Sequence, residues 1–126
     1  MKVLIVDDEK LIRWSLSRGL EGAGYAVDTA ANGIDALHMI EQFKYDIVVT
    51  DLRMPGLDGI ELLKRIKESE KGIPVIFLSA YLSKDVINDA GQFGAFRCVS
   101  KPFQIESILH IVKEALDFKS HPNAMC

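Results

Sequence analysis

At 126 residues, with 48% apolar and 26% charged side chains, the chain has room for one domain with its own core and none for a second. Fifteen basic against eighteen acidic residues leave a net charge of −3, which excludes the basic footprint of a nucleic-acid or membrane-surface binder. No apolar stretch approaches the roughly eighteen residues of a membrane span, and Met1-Lys2-Val3 runs straight into a strand pattern without a signal peptide, so a cytoplasmic setting is expected. Two cysteines, Cys98 and Cys126, have neither disulfide-framework nor metal-ligand spacing and read as free thiols.

The apolar run at residues 2–6 predicts a first strand, with Asp7-Asp8 at its carboxyl end. A first helix follows, carrying Ile12, Leu16, Leu20 and Ala23 at helical spacing; Arg13, Ser17, Arg18 and Glu21 fall on its other face, and Gly24 stands where a left-handed cap would end it. A second strand is read at 25–29, after which Asn32 can cap a helix through Ile34, Leu37 and Ile40. The third strand, 46–50, runs into Asp51, and a helix over 59–68 follows through Ile60, Leu63 and Ile66. The fourth strand, 73–78, leads to Ser79. Residues 83–93 are the weakest helix, because Asn88, Asp89 and Gly91 all disfavour it and Gly91 alone costs about 1 kcal/mol against alanine. A fifth strand at 95–99 precedes Lys101-Pro102. The last helix is the clearest: Ile105, Ile108, Leu109, Val112 and Leu116 form one stripe, with Glu106, Lys113 and Asp117 facing water. Beyond it periodicity stops, so residues 1–118 read as the domain and 119–126 as a tail or the start of a linker.

Strands alternating with helix-length connections need parallel pairing, and right-handed crossovers then place helices on both faces. The fold class is doubly wound α/β, with a five-stranded parallel sheet and five helices. Strands one, three and four are continuously apolar, as sheet centres are; strand five alternates and suits an edge.

In such a sheet the carboxyl ends of the strands share one edge, where ligands bind. Asp7, Asp8, Asp51, Ser79 and Lys101 all fall there. Singly, each has an ordinary role as helix cap, turn residue or solvated charge; their coincidence on one edge is what points to a site. Three neighbouring carboxylates raise one another's pKa unless a cation offsets them. Oxygen-only ligands without paired His or Cys favour a hard cation, Mg²⁺ first, with Mn²⁺ able to substitute. A carboxylate nucleophile, a metal, and Lys101 and Ser79 as donors make the set that phosphoryl transfer requires.

These residues, quoted in order as Val6-Asp7-Asp8-Glu9, the loop Thr50-Asp51-Leu52-Arg53-Met54-Pro55-Gly56-Leu57-Asp58-Gly59, Phe77-Leu78-Ser79-Ala80 and Ser100-Lys101-Pro102-Phe103, resemble a bacterial response-regulator receiver domain of two-component signalling. The similarity runs from Lys2 to about Phe118. Ile12-Arg13-Trp14 and the Asp51 loop look most like receivers of nitrogen-regulatory-type activators of sigma-54 transcription. The resemblance implies a flavodoxin-like strand order 2-1-3-4-5. It implies that Asp51 accepts a phosphoryl group from the phosphohistidine of a sensor kinase or phosphotransfer protein, assisted by Lys101 and Ser79. Mg²⁺ would be held by Asp8, Asp51 and the backbone carbonyl of Arg53, with Asp7 acting through water. The Lys101-Pro102 peptide would be cis, and Gly56 and Gly59 would serve a loop needing permissive backbone angles. Leu11, Ile12, Ser15 and Arg18 would form the kinase-docking surface, with Trp14 partly exposed beside it. The surface of the fourth helix, fifth strand and fifth helix would control an output domain or partner protein, transcription being the expected output, with a homodimer possible.

One departure is visible. Receivers commonly carry an aromatic switch residue three positions before the lysine, where this chain has Cys98. Relay from Ser79 therefore cannot use the usual aromatic rotation. Arg53 and Tyr81 occupy positions that in the family influence how long the phosphoryl group survives. The alternatives are an aspartyl-phosphate phosphatase-like enzyme and a non-phosphorylated interaction module. The former usually has a second acid two residues after a first-strand nucleophile, and here the acids are adjacent. A flavin carrier would need a hydroxyl- or glycine-rich loop after strand one, and no Gly-x-x-x-x-Gly-Lys-Ser/Thr motif supports nucleotide hydrolysis.

Overall fold

The computed structural model describes residues 1–69 and 72–120. In chain order the elements are β1 (Lys2–Val6), α1 (Lys10–Gly22), β2 (Ala26–Ala30), α2 (Gly33–Gln42), β3 (Ile47–Asp51), α3 (Gly59–Ser69), β4 (Val75–Ser79), α4 (Lys84–Gln92), β5 (Arg97–Ser100) and α5 (Ile105–Ser120). All four strand pairings are parallel and the sheet order is β2-β1-β3-β4-β5. None of the described helices is long and apolar enough to cross a membrane.

Continuous apolar strands divide between two cores because successive side chains point to opposite faces. Leu4, Val6, Val48, Val75 and Phe77 pack against Ala36 and Ile40 of α2, Leu62, Leu63 and Ile66 of α3, and Ala90 of α4. Val3, Ile5, Ile47, Val49, Ile76 and Leu78 meet Leu16 and Leu20 of α1 and Ile108, Val112, Ala115 and Leu116 of α5. Burying each of the larger side chains contributes about 1.5–3 kcal/mol. The edges differ, as strand five's alternation predicts. Residues of β5 are exposed or half-buried throughout, and those of β2 are too, apart from Ala30.

Pairing register moves the predicted strand boundaries toward the carboxyl end. Asp51 pairs with Leu78 and Ser79 with Ser100, so both candidate site residues are the last members of their strands. Asn32 caps α2 by accepting from the Asp35 amide at 2.8 Å, and Gly24 has the positive φ of +97° expected after α1. Three readings of the helices need correcting. Ile34 is 53% exposed, because the inward face of α2 is Gly33, Ala36 and Ile40. Ala23 is exposed as the C-terminal cap of α1. Finally, α5 continues to Ser120, two residues past the loss of periodicity read after Phe118, since a last helical turn needs no apolar stripe; Cys126 and the rest of 121–126 lie outside the described residues.

Candidate phosphoryl-transfer site

Asp7 follows β1, where its amide donates to the Ala30 carbonyl at 3.2 Å. Its side chain is fully buried, Oδ1 accepting from the Glu9 amide at 2.8 Å and Oδ2 lying 3.1 Å from Lys101 Nζ. Asp51 ends β3 with 7% exposure; its Oδ2 is 3.2 Å from the same ammonium, and its Oδ1 accepts a long 3.4 Å bond from the Arg53 amide. Asp8 is exposed, and its carboxylate completes a triad whose oxygens lie within 4.8 Å of one another. Lys101 brings these strand ends together from the loop after β5, and the Lys101-Pro102 peptide is cis. Glu9 also reaches Lys101, at 3.5 Å, a contact that sequence reasoning missed because an exposed glutamate at the start of a helix carries no distinguishing signal.

The charges do not balance locally. Burial pushes the Asp7 and Asp51 carboxyls above the ordinary carboxylate value of 3.8, and the charge on Asp51 pushes Asp7 in the same direction; Lys101 offsets both only partly. For Lys101, burial favours the neutral amine, but hydrogen bonds and charges from Asp7 and Asp51 outweigh it, so the ammonium is held above its ordinary pKa. One cation thus faces Asp7, Asp51, Glu9 and the nearby Asp8. A hard divalent ion fits this donor set: every offered ligand is oxygen, the carboxyls of two are held above their ordinary pKa by burial and neighbouring charge, and the exposed Asp8 opens the cluster to water.

Ser79 is brought to the same edge, though its hydroxyl is engaged elsewhere. It donates to the Tyr81 carbonyl at 3.1 Å and accepts from the Tyr81 amide at 3.2 Å. Cys98 pairs in register with Phe77 and packs half-buried against the core beneath α4; burial pushes its thiol pKa up, so it behaves as a small apolar filler. Gly56 has φ +77°, as a permissive loop position requires. Gly59 does not. Its φ is not positive, and the demand there is steric: a Cβ would stand 2.6 Å from the Asp51 carbonyl oxygen and 2.8 Å from Leu52 Cα.

Leu11, Ile12 and Ser15 line a groove of about 560 Å³ together with Glu9, Lys101, Pro102 and Phe103, beside the acids. Arg18 does not line it; its guanidinium lies 5.2 Å from the ring centroid of Trp14, which is 58% exposed. Arg13, expected on the outer face of α1, turns back and donates from Nη1 to the Asp7 carbonyl at 2.6 Å.

Comparisons with known proteins bear on the family and the fold. Residues 3–113 match the response regulator receiver domain family. The chain is 41% identical over 120 residues to sporulation initiation phosphotransferase F of Bacillus subtilis, covering 95% of this chain and 97% of that protein. It is 40% identical over 114 residues to the DNA-binding transcriptional regulator NtrC of Escherichia coli, covering 90% of this chain and 24% of that protein. Among solved structures, a CheY-like response regulator receiver domain protein from Methanospirillum hungatei superposes with a TM-score of 0.92 at 30% identity, over 97% of this chain and 98% of that one. Chemotaxis protein CheY4 of Vibrio cholerae gives 0.87 at 33% identity, over 90% and 97%. With its sheet order and these relatives in agreement, the chain belongs to the response regulator receiver domain family.

Proposed function

We propose that Asp51 is the phosphoryl acceptor of a signalling switch, charged from the phosphohistidine of a sensor histidine kinase or phosphotransfer protein. The observation that carries this reading is the unequal engagement of the three aspartates. Both carboxylate oxygens of Asp7 are held, by Glu9 and Lys101, in a fully buried side chain. Asp8 is exposed, where a nucleophile would remain hydrated. Asp51 is shielded yet at the edge, with one oxygen against Lys101 and the other held only by the long contact from Arg53.

Asp8, Asp51 and the backbone carbonyl of Arg53 would hold Mg²⁺, with Asp7 acting through water. When bound, the ion supplies positive charge to the transferred oxygens. In transfer, an Asp51 carboxylate oxygen forms a bond to phosphorus as the donor's P–N bond breaks, and that electron pair returns to the imidazole nitrogen. Lys101 then follows the charge from the carboxylates to the phosphoryl oxygens. Ser79 reaches the same oxygens by giving up Tyr81, which couples the chemistry to the segment leading into α4.

The groove at Leu11, Ile12 and Ser15 would seat the kinase, and the α4–β5–α5 surface would carry the output. Two kinds of output follow from the relatives. The NtrC relative, of which this chain matches 24%, is a DNA-binding transcriptional regulator, which favours transcription through a linked domain; the sporulation phosphotransferase is matched over 97%, which favours action through a partner protein. Incubation with Mg²⁺ and acetyl phosphate, followed by intact mass, tests the acceptor. The wild type should gain one phosphoryl group and Asp51→Asn none; labelling of that variant at the wild-type rate would overturn the assignment.

A further inference from the structure

We infer that Arg13 is a positioning residue that sets the β1–α1 turn, and through it Asp8, for cation binding; the inference rests on the cation site proposed above. Three residues, Asp7, Asp8 and Glu9, span from the end of β1 to the start of α1. Such a turn before a helix is ordinarily fixed by a side-chain cap. Here Glu9 makes no side-chain capping bond, and the first turn of α1 has no acidic residue. Asp7 Oδ1 closes the turn by accepting from the Glu9 amide, and Arg13 adds a second tie from the helix. Its backbone amide donates to the Glu9 carbonyl at 3.1 Å, while its guanidinium reaches back to the Asp7 carbonyl at 2.6 Å. The amide hydrogen bond is the ordinary first bond of the helix and survives any substitution at 13, so the guanidinium is what ties α1 back across Asp8 to the end of β1.

That tie matters because of what Asp8 lacks. Among the described residues its carboxylate has no hydrogen-bond or ion-pair partner, so the backbone beneath it is what aims it. Asp7, by contrast, is fixed through its own side chain, by Glu9 and Lys101. Loss of the guanidinium should consequently leave Asp7 in place and let Asp8 wander.

Calorimetric titration of the whole chain with Mg²⁺ tests this. Arg13→Ala should bind the ion about tenfold more weakly, the usual scale when a residue supporting a ligand is removed. Its labelling by acetyl phosphate should need correspondingly more Mg²⁺ yet reach the wild-type rate at saturation. Arg13→Lys keeps a cationic donor on α1 and guards against a folding defect; it should fall between the other two in affinity. Wild-type affinity in both Arg13 variants, or a rate that saturating Mg²⁺ does not restore, overturns the role of Arg13. Wild-type affinity in Asp8→Ala overturns the cation site itself and this inference with it.

Discussion

Gly59 and Gly33 hold the loop after Asp51 through proximity. A Cβ on Gly59 would meet the Asp51 carbonyl oxygen, and one on Gly33 would stand 2.5 Å from the Leu57 carbonyl oxygen, both backbone atoms that cannot swing aside. Gly59→Ala should therefore destabilise by about 1–3 kcal/mol, the usual range for overpacking, and slow labelling at Asp51. Gly22→Ala, with open space around it, is the control and should be neutral or slightly stabilising. Thermal melts of both variants check this; equal melting temperatures would contradict it. Sequence alone marks Gly59 as special but suggests the wrong reason, since one-dimensional spacing cannot distinguish a demanded φ from a close approach. The same limit hides Arg13. Its helical phase puts it on the outer face of α1, and only the fold reveals that the Asp7 carbonyl lies within reach of its side chain.

At the level of elements, α4 has the fewest buried residues of the described helices. Ser83 caps it by accepting from the Val86 amide at 3.2 Å, yet only Ala90 is buried along its length. Its far end is tied by Phe93, whose ring lies 4.4 Å from Lys64 Nζ on α3, a cation–π contact of about 0.5–1 kcal/mol. Weak helix formers in the sequence already predict this marginality; the tie to α3 joins residues far apart in the chain and was not legible. Because Cys98 offers no aromatic lever, we propose that α4 is the element Ser79 biases on phosphorylation. Gly91 lies inside α4 with open space where a Cβ would go, so Gly91→Ala should stabilise the helix by up to about 1 kcal/mol. Hydrogen exchange should show slower exchange across α4 in this variant and a smaller change on phosphorylation. Protection in wild-type α4 equal to that in α5, and unaltered by phosphorylation, would rule out this account of the switch.

Across the whole molecule, topology converts local strand ends into a shared electrostatic site, and its charge imbalance predicts a pH-dependent contribution to stability that a bound cation would oppose. The sheet order needed the family resemblance, because alternating elements and right-handed crossovers leave more than one order open; the meeting of acids and lysine at one edge needed only parallel pairing. Burial first, then for Asp7 the charge on Asp51 and for Asp51 the charge on Asp8, raise these two carboxyls above 3.8 in the folded chain. A raised carboxyl binds its proton more tightly when folded, so its contribution is most favourable at low pH and is lost as pH rises from about 3.8 through the folded value. Asp28 has the opposite sign, lowered first by its hydrogen bond from Tyr45, so the informative quantity is the difference between wild type and Asp51→Asn. Without metal, the variant should gain stability relative to wild type as pH rises above about 3.8, where the Asp51 penalty develops. Mg²⁺ at a hundredfold excess over its Kd should then stabilise the wild type by about 2.7 kcal/mol, and more weakly at low pH, where protons compete for the ligands. Thermal melts of both proteins across pH, with and without Mg²⁺, read the two slopes. A metal-free difference that stays flat with pH would mean that Lys101 already neutralises Asp51, and the electrostatic case for a cation would lose its main support.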